Sequence, residues 1–157
     1  MKDDQNTSKK RKKNQKDKST VTPTGKGWNP TKPEARGGFI FHVQTSNDVH
    51  TSLKQLQNTL ETYKLPLQPR PIVVGPIDNI VSYHIFINEV QYDFETSARA
   101  IEVAFKTYYS LNAHYPLGAK APWLFIERAV FKLNAKHEHP VPVSVTSFIG
   151  DLNINFN

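Results

Sequence analysis

Ile80-Val-Ser-Tyr-His-Ile-Phe-Ile87, then Asn88-Glu89, then Val90-Gln-Tyr-Asp-Phe94, is the stretch on which the fold turns. Two runs of β-branched and aromatic residues flank a polar pair, the pattern of a β-hairpin. No glycine marks the turn, so its type stays open. Just upstream, Pro71-Ile-Val-Val-Gly75 is a short apolar run between breakers and reads as a buried strand. Gly75-Pro76 and Asp78-Asn79 supply the turn that follows it.

Further upstream, Phe39-Ile-Phe-His-Val-Gln-Thr45 reads as a first strand. Ser46-Asn47-Asp48 brings helix-capping chemistry. Val49, Leu53, Leu56, Leu60 and Tyr63 then recur at spacings of four and three, which draws one apolar stripe along a helix. Leu65-Pro66 ends it, because proline lacks an amide and restricts its predecessor.

Downstream of the hairpin, Thr96 or Ser97 caps a second helix with Ala98, Ile101, Phe105, Tyr108 and Leu111 on one face. A loop from Asn112 leads to Pro122 at the first turn of a third helix. There Trp123, Ile126, Val130 and Leu133 share a face that Leu124, Phe125 and Phe131 widen. A helix this apolar is packed on two sides or buries a face against a partner. Val141–Asn157 alternates weakly and is expected as an edge strand or a loose end.

The order strand, helix, strand, strand, strand, helix, helix gives an α+β fold. A small mixed sheet, made of a strand–helix–strand unit and a hairpin, carries two further C-terminal helices. A disordered basic tail over 1–36 precedes a single domain over 37–157. Its core spans about 39–135, with a C-terminal extension over 136–157. The tail reading rests on composition: up to Arg36 the only apolar side chains are Met1, Val21, Trp28 and Ala35, too few to offset ordering entropy. Gly37-Gly38 marks the boundary.

Charge follows the same division. Residues 1–36 hold 11 of the 20 Lys/Arg and 4 of the 14 Asp/Glu and so carry +7, while 37–157 carry −1. Lys9, Lys10, Arg11, Lys12 and Lys13, extended by Lys16 and Lys18, form the dense cluster. Such a cluster suits an import receptor or the phosphates of DNA or RNA, and flexible lysines read phosphates without reading bases. The plain alternative is a solubilising tail.

Other chemistry is weakly represented. With no cysteine, a disulfide framework, a thiol nucleophile and a cysteine-based zinc finger are all excluded. No apolar run approaches the ~18–20 residues of a membrane span. The basic N-terminus lacks the apolar stretch of a secretory signal, and its lysines beside Asp3, Asp4 and Asp17 fit a mitochondrial presequence poorly. His137-Glu138-His139 sets two imidazoles at i and i+2, which diverge on a helix. A cationic helix C-terminus is the better reading, and no metal site or cofactor is expected.

Ser82, Ser97 and Ser110 sit in no nucleophile elbow, and the glycines form no phosphate loop. Asp93 and Glu95, with Asp78 and Glu89 at nearby turns, carry a rival reading as a metal-dependent phosphoryl-transfer enzyme or its remnant. Tyr83, Tyr92, Tyr108, Tyr109, Tyr115 and Trp123 are not interleaved with Lys/Arg and read as core rather than base-stacking platforms.

Beyond these local readings stands a wider pattern: Gln68-Pro69, Pro71-Ile-Val-Val-Gly75, Phe86-Ile87, Tyr92, Ala100, Phe105-Lys106, Leu111-Asn112, Tyr115-Pro116 and Trp123-Leu-Phe-Ile126. Over Gln68 to Leu133 it resembles a module of multi-copy metazoan proteins in insects, cnidarians and fish. Their scattered, multi-copy occurrence implies mobile-element descent. The resemblance is carried by apolar, structural positions and brings no catalytic residue with it.

The expectation is a non-enzymatic nuclear protein (cytoplasmic in the alternative) with a basic import or nucleic-acid arm and a compact interaction module. The body would meet a protein partner, or a second copy, through the 123–133 helix. The first alternative is a sequence-independent DNA/RNA-binding protein acting through the tail.

Overall fold

The computed structural model describes residues 27–133 and 141–155. Four strands, β1 (Phe41–Val43), β2 (Arg70–Val74), β3 (Ser82–Ile87) and β4 (Val90–Phe94), form one sheet in the order β1-β2-β3-β4. β1 runs parallel to β2, and the other neighbours are antiparallel. The helices are α1 (Lys32–Phe39), α2 (Asp48–Thr62), α3 (Ser97–Ser110), α4 (Lys120–Phe125) and α5 (Val143–Asn155). The fold is α+β with a mixed sheet, as the sequence predicts.

Alternation along the strands builds two cores. Ile72, Val74 and Phe86 meet Val43 and the α2 stripe of Val49 and Leu53 on one face. Ile85 meets Ala100, Ala104, Phe105 and Tyr108 of α3 and Trp123 of α4 on the other. β2 is therefore apolar on both faces, which explains its unbroken run Pro-Ile-Val-Val.

The hairpin turn is resolved by its backbone. Asn88 and Glu89 have φ of 47° and 69°, both left-handed. Two left-handed central residues make a type I′ turn, whose twist matches the flanking strands. Asparagine tolerates that conformation; glutamate adopts it only at a cost. Glu89→Gly is expected to raise stability by about 1 kcal/mol, read as a higher urea midpoint at unchanged slope. A loss of stability would show that Glu89 is held by something other than the turn.

Three expectations are corrected. Gly37-Gly38 is no boundary, and Phe39 does not open a strand, because α1 runs through all three residues. The signal for α1 is Thr31-Lys-Pro-Glu34, a capping box: the Thr31 amide donates to Glu34 Oε2 at 2.7 Å, and the Glu34 amide donates back to Thr31 Oγ1. Pro33 sits in the first turn, where a missing amide costs nothing. The Thr31 amide first, and the Thr31 hydroxyl donating to the same oxygen second, hold the Glu34 carboxyl below the usual carboxylate range.

The third helix is not one regular helix. A 3₁₀ turn (Leu117–Ala119) leads into α4, and a π turn over Ile126–Val130 follows, closed by the Phe131 amide on the Ile126 carbonyl at 3.1 Å. The wide turn shifts the phase. Glu127 becomes fully buried, and Val130, expected on the apolar face, is 59% exposed. Finally, Val141–Asn157 is neither edge strand nor loose end over its described part, because α5 occupies Val143–Asn155. Phe148 of α5 rests on Phe125, so the third helical stretch is packed on two sides.

Candidate functional site

β3 and β4 carry the densest polar network among the described residues. In a strand, residues two apart share a face, so Ser82 and His84 align, as do Gln91 and Asp93. The register sets His84 directly opposite Asp93. Ser82 Oγ lies 2.8 Å from His84 Nε2, and His84 Nδ1 lies 2.7 Å from Asp93 Oδ1. The Gln91 amide donates to the same carboxyl oxygen at 2.8 Å. The Gln91 amide first and His84 second hold the Asp93 carboxyl below its usual range.

This connectivity is that of a hydroxyl–imidazole–carboxylate relay. A relay becomes catalytic only where a substrate cleft and oxyanion donors face the hydroxyl. Here His84 is buried, but the Asp93 side chain is 75% exposed on an edge strand, where water screens it. The quartet's evident work is to fasten the outer hairpin of the sheet through cross-strand pairs.

The second feature is the β4 edge itself. All of Val90, Gln91, Tyr92 and Asp93 are exposed, and no further strand pairs with β4 among the described residues. Val90 and Tyr92 are 50% and 48% exposed.

The third feature is the seating of Trp28 and α1 on the body. Trp28 reaches Tyr63 at the end of α2, with ring centroids 6.4 Å apart. Gly38 of α1 lies so close to Ala119 that a Cβ would come within 2.9 Å of the alanine methyl. The chain is thus fastened to the body from Trp28 onward. Residues 1–26 carry +6 and residues 27–157 carry no net charge.

A buried polar belt lies under α1 and α3. Arg70 donates to the Gly37 and Gln68 carbonyls at 3.3 and 3.4 Å, and burial pulls its pKa down to about 10, which leaves it charged at neutral pH. The Tyr108 hydroxyl donates to the Pro69 carbonyl, and the Tyr115 hydroxyl donates to Glu127 at 2.8 Å. Burial pushes both phenols up, and for Tyr115 the Glu127 hydrogen bond pushes further. These groups hold elements together.

Of the residues singled out from sequence, Lys9, Lys10, Arg11, Lys12, Lys13, Lys16 and Lys18 lie outside the described residues, as does His137-Glu138-His139. No group of three His, Cys, Asp or Glu side chains converges as a metal site among the described residues. No described helix is long and apolar enough to cross a membrane. Trp123 and Tyr108 are core residues, while Tyr92 and Tyr109 face solvent. Motif reading does not find the quartet, yet a two-residue turn after Ile87 already implies that His84 faces Asp93.

No protein-family model, curated protein or solved structure matches the chain. The functional reading rests on its own residues.

Proposed function

We propose that this chain is a non-enzymatic nuclear protein, in which a basic arm reaches an import receptor and nucleic-acid phosphates while the α+β body serves as an interaction module. One observation carries the reading: nine Lys/Arg against three Asp/Glu over residues 1–26, beside a body of zero net charge. Polycationic segments bind phosphates through counterion release and are read by import receptors as short basic runs. The anchoring of Trp28 and α1 supports a fixed point of departure for the arm. The Asp93 end of the polar network is 75% exposed to water, which supports binding rather than catalysis there.

The test is the full chain with Lys9, Lys10, Arg11, Lys12 and Lys13 all changed to alanine. Nuclear accumulation of the tagged protein is expected to disappear. Retention on duplex DNA should weaken, with the log–log salt slope falling by about 0.9 for each phosphate no longer neutralised. Unchanged accumulation would overturn the import role. Weakened DNA retention with normal accumulation would favour the second reading, a sequence-independent DNA/RNA binder acting through the arm.

A further inference from the structure

We propose that the β4 edge pairs with the β4 edge of a second copy, joining two four-stranded sheets into one antiparallel eight-stranded sheet about a two-fold axis at Tyr92. This rests on the strand and not on the role of the basic arm.

The register can be derived. A type I′ turn makes Ile87 and Val90 a hydrogen-bonded pair, and such pairs alternate along an antiparallel ladder. Val90, Tyr92 and Phe94 therefore spend their backbone groups on β3. The amides and carbonyls of Gln91 and Asp93 point away from it, toward the open edge. Only registers that bring these outward residues opposite one another make ladder bonds between copies.

Among those registers, the pairing centred on Tyr92 is chemically self-complementary. It sets Gln91 opposite Asp93 of the second copy, and Asp93 opposite the second Gln91. Each amide then gains a carboxyl acceptor across the interface. On the other face it sets Val90 opposite Phe94 and Tyr92 opposite itself, covering side chains left half exposed in the monomer. Centring on Gln91 would instead oppose Asp93 to Glu89, and centring on Asp93 would oppose the two Asp93 carboxylates, both destabilising. β4 also has no proline, lysine or arginine, the usual guards of a sheet edge.

The chosen register is not free of repulsion. It places Glu89 opposite Glu95 of the second copy at each end, both exposed. Association should therefore strengthen as salt screens these pairs. Binding of the arm to phosphates weakens with salt. The opposite signs keep the two readings separable.

The absence of cysteine makes the experiment direct. At the two-fold axis, Tyr92 and its counterpart form a non-hydrogen-bonded pair with Cα atoms about 4.5 Å apart, within the roughly 4.4–6.8 Å that a disulfide spans. In full-length Tyr92→Cys, mild oxidation should give a covalent dimer. Full-length Val90→Cys should not, since two copies of residue 90 lie about 13 Å apart in this register. By sedimentation, the unsubstituted chain should show a concentration-dependent dimer, and Tyr92→Lys should weaken it about tenfold or more by opposing two like charges. A chain monomeric at all accessible concentrations would overturn the proposal. So would cross-linking that is absent in Tyr92→Cys or equal in the two cysteine variants.

Discussion

Replacing Trp123 with alanine is expected to lower stability by about 3–5 kcal/mol. Trp123 is fully buried where three elements meet. Its ring lies 5.0 Å from Phe39 of α1 and 5.0 Å from Tyr108 of α3, both edge-on, and stacks on Tyr115 at 6.0 Å. Its Nε1 donates to the Gly38 carbonyl at 3.2 Å. Alanine would open a cavity under α1, strip Phe39, Tyr108 and Tyr115 of their shared neighbour and take the donor from a buried carbonyl. Domains of this size have only about 5–15 kcal/mol in hand, so much of the folding equilibrium is at stake. Urea unfolding followed by far-ultraviolet circular dichroism measures the loss, since Trp28 alone would report poorly by fluorescence. Trp123→Phe should recover most of the packing while still lacking the Gly38 bond. A loss under about 1 kcal/mol in the alanine variant would mean that α1 is not held by this residue.

The seating of Trp123 under α1 also shows where the sequence stops being legible. Local periodicity marks α2, because Val49, Leu53 and Leu60 form its one buried stripe, although the helix stops at Thr62, short of Leu65-Pro66. The β3–β4 hairpin is legible for a similar reason: alternation and a two-residue gap leave little choice of register. α1 is hidden because Pro33, Gly37 and Gly38 weigh against helix by propensity. What forms it is a capping box at one end and tight seating of Gly38 on Ala119 at the other. The second of these is a tertiary interaction, invisible in any local window.

The π turn is hidden differently. Periodicity assumes a constant angle per residue, and one wide turn at Ile126–Val130 rotates everything after it. Glu127 can then enter the core because Tyr115 supplies a hydroxyl to meet it. Around the start of α5, Val141, Val143 and Val145 alternate like a strand, yet of the three Val145 alone is buried, as a helix lying shallowly on α4 requires. For the candidate site, the charge of residues 1–26 is fully legible, since it is composition. The His84–Asp93 pair needs the register, and the open edge of β4 needs the strand order, which no single segment encodes.

Gly75 shapes the β2–β3 turn, and Gly75→Ala is expected to destabilise the body by about 3 kcal/mol or more. β2 leaves the sheet here with φ of +119°, a conformation that L side chains rarely adopt. A Cβ would lie 2.7 Å from the Asn79 carbonyl oxygen and 3.0 Å from the Val81 nitrogen. Both are backbone atoms of the turn that starts β3, so no side chain can swing aside. The turn itself is pinned by the Val81 amide on the Val74 carbonyl at 2.8 Å. Gly75 is pinned in turn by its amide on the Val43 carbonyl at 3.0 Å and by His42 Nε2 donating to its carbonyl at 2.6 Å. A methyl group must therefore push β3 away from β2 or break the tie to β1. The same substitution at Gly150, on exposed α5 with nothing within 4 Å of the new methyl, should stabilise its helix by up to about 1 kcal/mol. Opposite signs from one chemical change, read as urea midpoints of the two full-length variants, would locate the strain at the β2–β3 turn. If Gly75→Ala is as harmless as Gly150→Ala, the turn is looser than its hydrogen bonds require, and the β2–β3 register has another origin.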